Sequence, residues 1–93
     1  MIRQFKHKGL EAFFRRGDVR KIRPSHAKKL RQILTILHAA VSIEDVQSVV
    51  ALRCHQLSGA RQNTYAVWVN KNWRITFIFD EDAVYAVTYE DYH

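Results

Sequence analysis

The stretch Thr64-Tyr65-Ala66-Val67-Trp68-Val69-Asn70-Lys71-Asn72-Trp73-Arg74-Ile75-Thr76-Phe77-Ile78-Phe79 decides the fold. Tyr65, Val67 and Val69 alternate with Ala66 and Trp68, then Ile75, Phe77 and Phe79 alternate with Arg74, Thr76 and Ile78. A period of two belongs to strands that bury one face. Asn70-Lys71-Asn72 is the tight connection between them, in which asparagine tolerates positive φ. Asp80-Glu81-Asp82 turns a second hairpin into the apolar run 83–89. Three consecutive antiparallel strands are therefore expected. The Ile75/Phe77/Phe79 row faces the core, and Arg74 lies on the opposite face, beside Trp73.

Upstream of this stretch the period is helical. Ile2 to Phe5 suits a short strand, but Leu10, Phe13 and Phe14 repeat at i, i+3, i+4 and Gly17 suits a helix end. After Pro24, the residues Ala27, Leu30, Leu34, Leu37 and Val41 step by alternating threes and fours. Lys28, Arg31, Gln32, Thr35 and His38 fall on the other side, which predicts an amphipathic helix of about four turns. Ser42 followed by Glu44 and Asp45 predicts the capped start of a shorter helix reaching about Val49. Helices leading a run of antiparallel strands define a single α+β domain over 1–93, its N-terminal helices packed on a small antiparallel sheet.

Composition narrows the function classes. The 93 residues contain one cysteine, Cys54, which excludes an internal disulfide and a Cys-rich zinc site. No apolar run approaches the roughly 20 residues that span a bilayer, and the start lacks the apolar stretch of a signal peptide, so a cytoplasmic location and no membrane partner are expected. Charge is polarised. Residues 1–31 hold eleven Lys/Arg against Glu11 and Asp18, a net +9, whereas residues 32–93 hold four against seven acids, a net −3. Such a field attracts polyanions, nucleic acid above all, or an acidic protein. Arg20, Lys21, Arg23 and Lys28 are the expected RNA contacts of the basic half, with Arg61, Lys71 and Trp73 nearer the sheet.

The groups able to carry chemistry gather late in the chain. Tyr89-Glu90-Asp91-Tyr92-His93 sets two carboxylates, two phenols and an imidazole directly after the apolar run, where a strand would hold them; the alternative is a solvated tail. His55 and His93 suit acid/base work at neutral pH. His7, His26 and His38 lie in or beside basic helical segments and are expected to be solvated. Arg74 suits a bidentate phosphate clamp, or else a cross-strand partner for Glu90 or Asp91. Cys54 is expected to be a small buried residue. No histidine spacing fits a metal, the three glycines form no phosphate loop, and no cofactor is expected.

Phe5-Lys6-His7-Lys8-Gly9-Leu10, Val69-Asn70-Lys71-Asn72-Trp73-Arg74-Ile75-Thr76-Phe77 and the terminal Tyr89-Glu90-Asp91-Tyr92-His93 together resemble HigB toxins, members of the RelE-like superfamily of type II toxin–antitoxin systems. The resemblance spans nearly the whole chain. It implies a ribonuclease that cuts mRNA in the ribosomal A site and is neutralised by a HigA antitoxin. It also implies that His55, Arg74, Asp91, Tyr92 and His93 form the catalytic set. The chain departs from the family pattern at Ser58, where lysine is frequent, at Gly59-Ala60 and at Tyr65-Ala66. The missing lysine removes one phosphate contact, for which Arg61 or Lys71 is the expected substitute. Under this reading RNA supplies the nucleophile, its 2′-hydroxyl, and the protein supplies an acid, a base and a charge stabiliser without a metal. The alternatives are a non-catalytic ParE-like inhibitor of gyrase and a plain RNA-binding module; translation-dependent cleavage separates both from the nuclease.

Overall fold

The computed structural model describes residues 1–59 and 63–92, so Arg61 and His93, two expected site residues, lie outside the described residues. Helix α1 (Lys8–Arg16) starts where the Leu10 N–H donates to His7 Nδ1 (2.9 Å) and ends at Gly17, whose φ of 71° is the left-handed conformation that glycine adopts without penalty. One 3₁₀ turn, Pro24–His26, leads into α2 (Ala27–Ala39). That helix buries Leu30, Ile33, Leu34 and Leu37. Val41, expected on the same stripe, is 70% exposed because the helix ends before it. Helix α3 (Ile43–Gln47) opens as expected: the Asp45 carboxylate accepts the N–H groups of Val41 (2.9 Å) and Ser42 (3.3 Å).

The sheet has four strands, β1 (His55–Gln56), β2 (Thr64–Trp68), β3 (Trp73–Asp80) and β4 (Ala83–Asp91), antiparallel in the order β1-β2-β3-β4. The additional strand, β1, is two residues long, too short to show a period. Residues 1–6 are not a strand of their own. They run parallel beside β4 through bridges at Ile2↔Val84 and Phe5↔Val87, covering its outer edge. The turn at 70–72 also differs from expectation, since neither asparagine has positive φ. Asn70 builds it with its side chain instead, Oδ1 accepting the N–H groups of Asn72 (2.9 Å) and Trp73 (3.0 Å).

The two faces of the sheet separate as the alternation requires. Tyr65, Val67, Ile75, Phe77, Val87 and Tyr89 join the helical residues Leu10, Phe13, Leu30, Ile33, Leu34 and Leu37 in one core. A bulge then sets the tail: the β3–β4 register shifts between Thr76 and Ile78, and Ala86 opposite has φ 53°. Beyond it Ile75 pairs with Tyr89, Arg74 with Glu90 and Trp73 with Asp91. The tail is thus sheet as far as Asp91. Phe77 is 1% exposed and its ring stacks on Tyr65 at 5.9 Å. Phe77→Ala is expected to cost about 3–5 kcal/mol, read as a lower urea midpoint with an unchanged m-value.

Candidate functional site

The open face of the sheet carries a row of small residues flanked by large ones. His55 pairs with Ala66, Ala66 with Thr76 and Thr76 with Thr88, so these four lie side by side. One step along, Trp68 pairs with Arg74 and Arg74 with Glu90. The Arg74 guanidinium lies 4.3 Å from the Trp68 ring and 5.3 Å from the Tyr92 ring. Its Nη1 donates to the carbonyls of Asn70 (2.7 Å), Lys71 (3.2 Å) and Trp73 (3.1 Å). Among the described residues these are the side-chain hydrogen bonds of Arg74, all of them through Nη1. Glu90 stands directly across the strands, yet the ion pairs among the described residues are Arg15–Glu11 and Arg20–Asp18. Among the described residues this cation is met by carbonyl dipoles and ring faces rather than by a carboxylate, a setting chemically suited to an anion.

His55 is exposed at the other end of the row, its Nδ1 3.2 Å from the Arg53 carbonyl. A carbonyl only accepts, so Nδ1 is the donor of this bond. Arg53, in the left-handed region at φ 48°, lays its guanidinium 4.1 Å from the Trp68 ring. Trp68 therefore carries two cations, and neither it nor Arg53 was expected in the site. Strand alternation could have found Trp68, because it shares a face with Arg74 across a short turn. Nothing in the sequence marks Arg53.

The expected catalytic set is divided. Arg74, Tyr92 and His55 share the open face. Asp91 pairs with Trp73 in the register that also holds Ile75 and Tyr89, so it belongs to the helical side of β4's end. Trp73 likewise turns away from Arg74, half-buried against Tyr89 (4.6 Å), with the Arg23 guanidinium 5.2 Å from it. The remaining expected RNA contacts are dispersed. Arg20 forks onto Asp18 at 2.7–3.2 Å, whose carboxyl it holds far below the usual range. Lys21 lays its stem against Gly9. Lys28 stands on the rim of a groove of about 780 Å³ whose floor is Ala27, Ile36, Val49, Ala51 and Leu52. That groove is lined by basic, amide, hydroxyl and apolar side chains, with no carboxylate or imidazole among its described lining residues. Lys71 is exposed in the turn that holds Arg74. Cys54 is half-buried, and desolvation pushes its thiol up to about 11, which leaves it un-ionised at neutral pH.

Two histidines depart from expectation. His7 caps α1, and His26 is 6% exposed and bonded at both ring nitrogens. Because Asn70 Oδ1 is taken by two backbone N–H groups, its Nδ2 faces His26 Nε2 (2.9 Å) as a donor. Nε2 must accept, so the single proton of the neutral ring is on Nδ1, which donates to Tyr89 Oη (2.6 Å). Burial, then the nearby Arg23, holds the His26 pKa below its ordinary value, and burial raises that of Tyr89.

The shape of the chain matches the crystal structure of YafQ from E. coli strain BL21(DE3), with a TM-score of 0.56 over 98% of this chain and 91% of that one, at 11% identity. An α+β fold of helices against an antiparallel sheet is thus shared at negligible sequence similarity. Residues 3–93 match the family model described as RelE-like toxin of type II toxin–antitoxin system HigB, and the chain belongs to that HigB-like toxin family. It is 33% identical to a Proteus vulgaris protein named Endoribonuclease HigB, over the full length of both chains.

Neutral His26 has a testable signature. A group whose folded pKa is depressed contributes stability above its unfolded value, near 6.5, that is lost as pH falls from there toward the folded value. Urea midpoints of the intact chain are expected to fall between pH 7.5 and 5, and His26→Gln to flatten that decline.

Proposed function

We propose that this toxin is an mRNA endoribonuclease that acts on translating ribosomes in the cytoplasm and is neutralised by a HigA-like antitoxin. The observation that carries the reading is the Arg74 guanidinium, held among the described residues by three carbonyls and two aromatic faces rather than by a carboxylate, on the same sheet face as His55. His55 and Arg74 are two strands apart, roughly 10 Å across the sheet, on one face of it, Arg74 one same-face position further along than the His55–Ala66–Thr76 row. A phosphodiester lying across the strands meets both.

In this reading His55 Nε2 takes the proton of the RNA 2′-hydroxyl, whose oxygen attacks the adjacent phosphorus. Arg74 neutralises the charge that builds on the phosphorane oxygens. The P–O5′ bond breaks as a proton reaches the leaving oxygen, a role that falls to His93. The products are a 2′,3′-cyclic phosphate and a 5′-hydroxyl, and the proton count closes without a metal. Tyr92 packs on Arg74 and offers a ring for base stacking. Asp91, on the other side of the strand, orients the tail. Lys71, in the turn whose carbonyls hold Arg74, stands in for the lysine absent at Ser58, and the basic helical half, with Arg23 and Lys28 on it, docks on ribosomal RNA.

Primer-extension mapping on translating ribosomes tests this. The intact chain is expected to give cuts that require translation. Arg74→Ala is expected to lower their rate by about 10²–10³-fold, and His55→Ala and His93→Ala by at least roughly tenfold each. An intact, folded chain that gives no cuts would overturn the nuclease reading. Undiminished cutting by His93→Ala would remove the tail from the mechanism.

A further inference from the structure

We propose that His26 and Asn70 are positioning residues for this site: a buried imidazole on the helical side of the sheet fixes, through one amide, the turn that holds Arg74 and Tyr92. The catalytic consequence rests on the nuclease reading, whereas the coupling rests on geometry alone.

The chain of contacts is continuous. Tyr89, buried on β4, bonds His26 Nδ1 at 2.6 Å, and Asn70 Nδ2 bonds Nε2 at 2.9 Å. The Asn70 side chain gathers the N–H groups of Asn72 and Trp73 on its Oδ1. Its main-chain carbonyl then takes Arg74 Nη1 at 2.7 Å, with Lys71 O also accepting at 3.2 Å. Asn72 O takes the N–H of Tyr92 at 2.6 Å. Arginine clamp and tail therefore depend on one short turn. The Trp73 ring closes the inner side, 5.4 Å from His26 and 4.6 Å from Tyr89.

Physical necessity argues for the anchor. Asn70 and Lys71 are solvent-exposed, and an exposed turn without a buried attachment opens at little cost. A guanidinium bonded only to the carbonyls of such a turn would inherit its motion, and displacement by an ångström is enough to cost about 10²-fold in rate. His26 supplies the attachment without reaching the open face, because its own bonds run to Tyr89 and Asn70.

Two readouts test the proposal. Single-turnover cleavage on ribosomes is compared among the intact chain, Asn70→Ala, His26→Leu, Arg74→Ala and the two doubles with Arg74→Ala. Each positioning variant is expected to lose at least about tenfold alone, and less than about twofold further when Arg74 is already absent. The second readout needs no activity. The Arg74 Nε–H NMR signal is expected to be displaced by the Trp68 and Tyr92 rings in the intact chain and to move to the position of exposed arginines in both variants. Equal losses with and without Arg74, or an unmoved Arg74 signal, would overturn the coupling. Should the intact chain not cleave, the nuclease reading falls and the NMR result still decides the coupling. Should His26→Leu not fold, Asn70→Ala decides alone, since Asn70 is exposed.

Discussion

One extra residue in β4 governs where the chemistry stands. The bulge at Ala86 shifts the register between Thr76 and Ile78 by one, and in a pleated strand a shift of one exchanges the two faces. Had the hairpin register of Asp80↔Ala83 continued, Tyr89 would lie opposite Arg74. With the bulge, Tyr89 is drawn into the core and Glu90 and Tyr92 fall on the Arg74 side. A non-glycine residue at φ 53° costs about 1–2 kcal/mol, and the phenol buried against His26 is part of what offsets it.

Arg74 illustrates how the fold prepares a cation. Isolated surface ion pairs contribute little, and a carboxylate partner would compete with a phosphate. Carbonyls and aromatic rings do neither: they fix the guanidinium in place and leave its charge available. The same two kinds of partner recur at Arg53, whose guanidinium shares the Trp68 ring. Two arginines thus meet two aromatic rings on a sheet whose strands belong to the less basic part of the chain.

Much of this was legible in the residues. The periods in 10–14, 27–37, 64–69 and 73–79 gave helices and strands, because each element buries one face and the pattern reports it. The Ser42/Asp45 cap and the Gly17 helix end were legible for local reasons too, since backbone groups there need a partner within reach. What escaped depended on contacts distant in sequence. His26 sits among basic residues and reads as solvated, but Tyr89 and Asn70, 63 and 44 positions away, bury and bond it. Asp91 reads as part of one triplet with Tyr92, yet alternation places neighbours on opposite sides. β1 was missed because two residues carry no period, and its pairing puts His55 in line with the site.

The segment 1–6 lying along β4 has a kinetic meaning. Its bonds, Arg3 N–H to Val84 O at 2.8 Å and Lys6 N–H to Val87 O at 2.8 Å, close a loop of about eighty residues. Local helices and the β2–β3–β4 hairpins can form before such a closure is worthwhile, which assigns this ribbon to the late side of the folding barrier. Loosening it therefore acts chiefly on how fast the folded molecule comes apart, and little on how fast it forms. The lifetime of the assembled tail strand is thus tied to a ribbon at the opposite end of the chain.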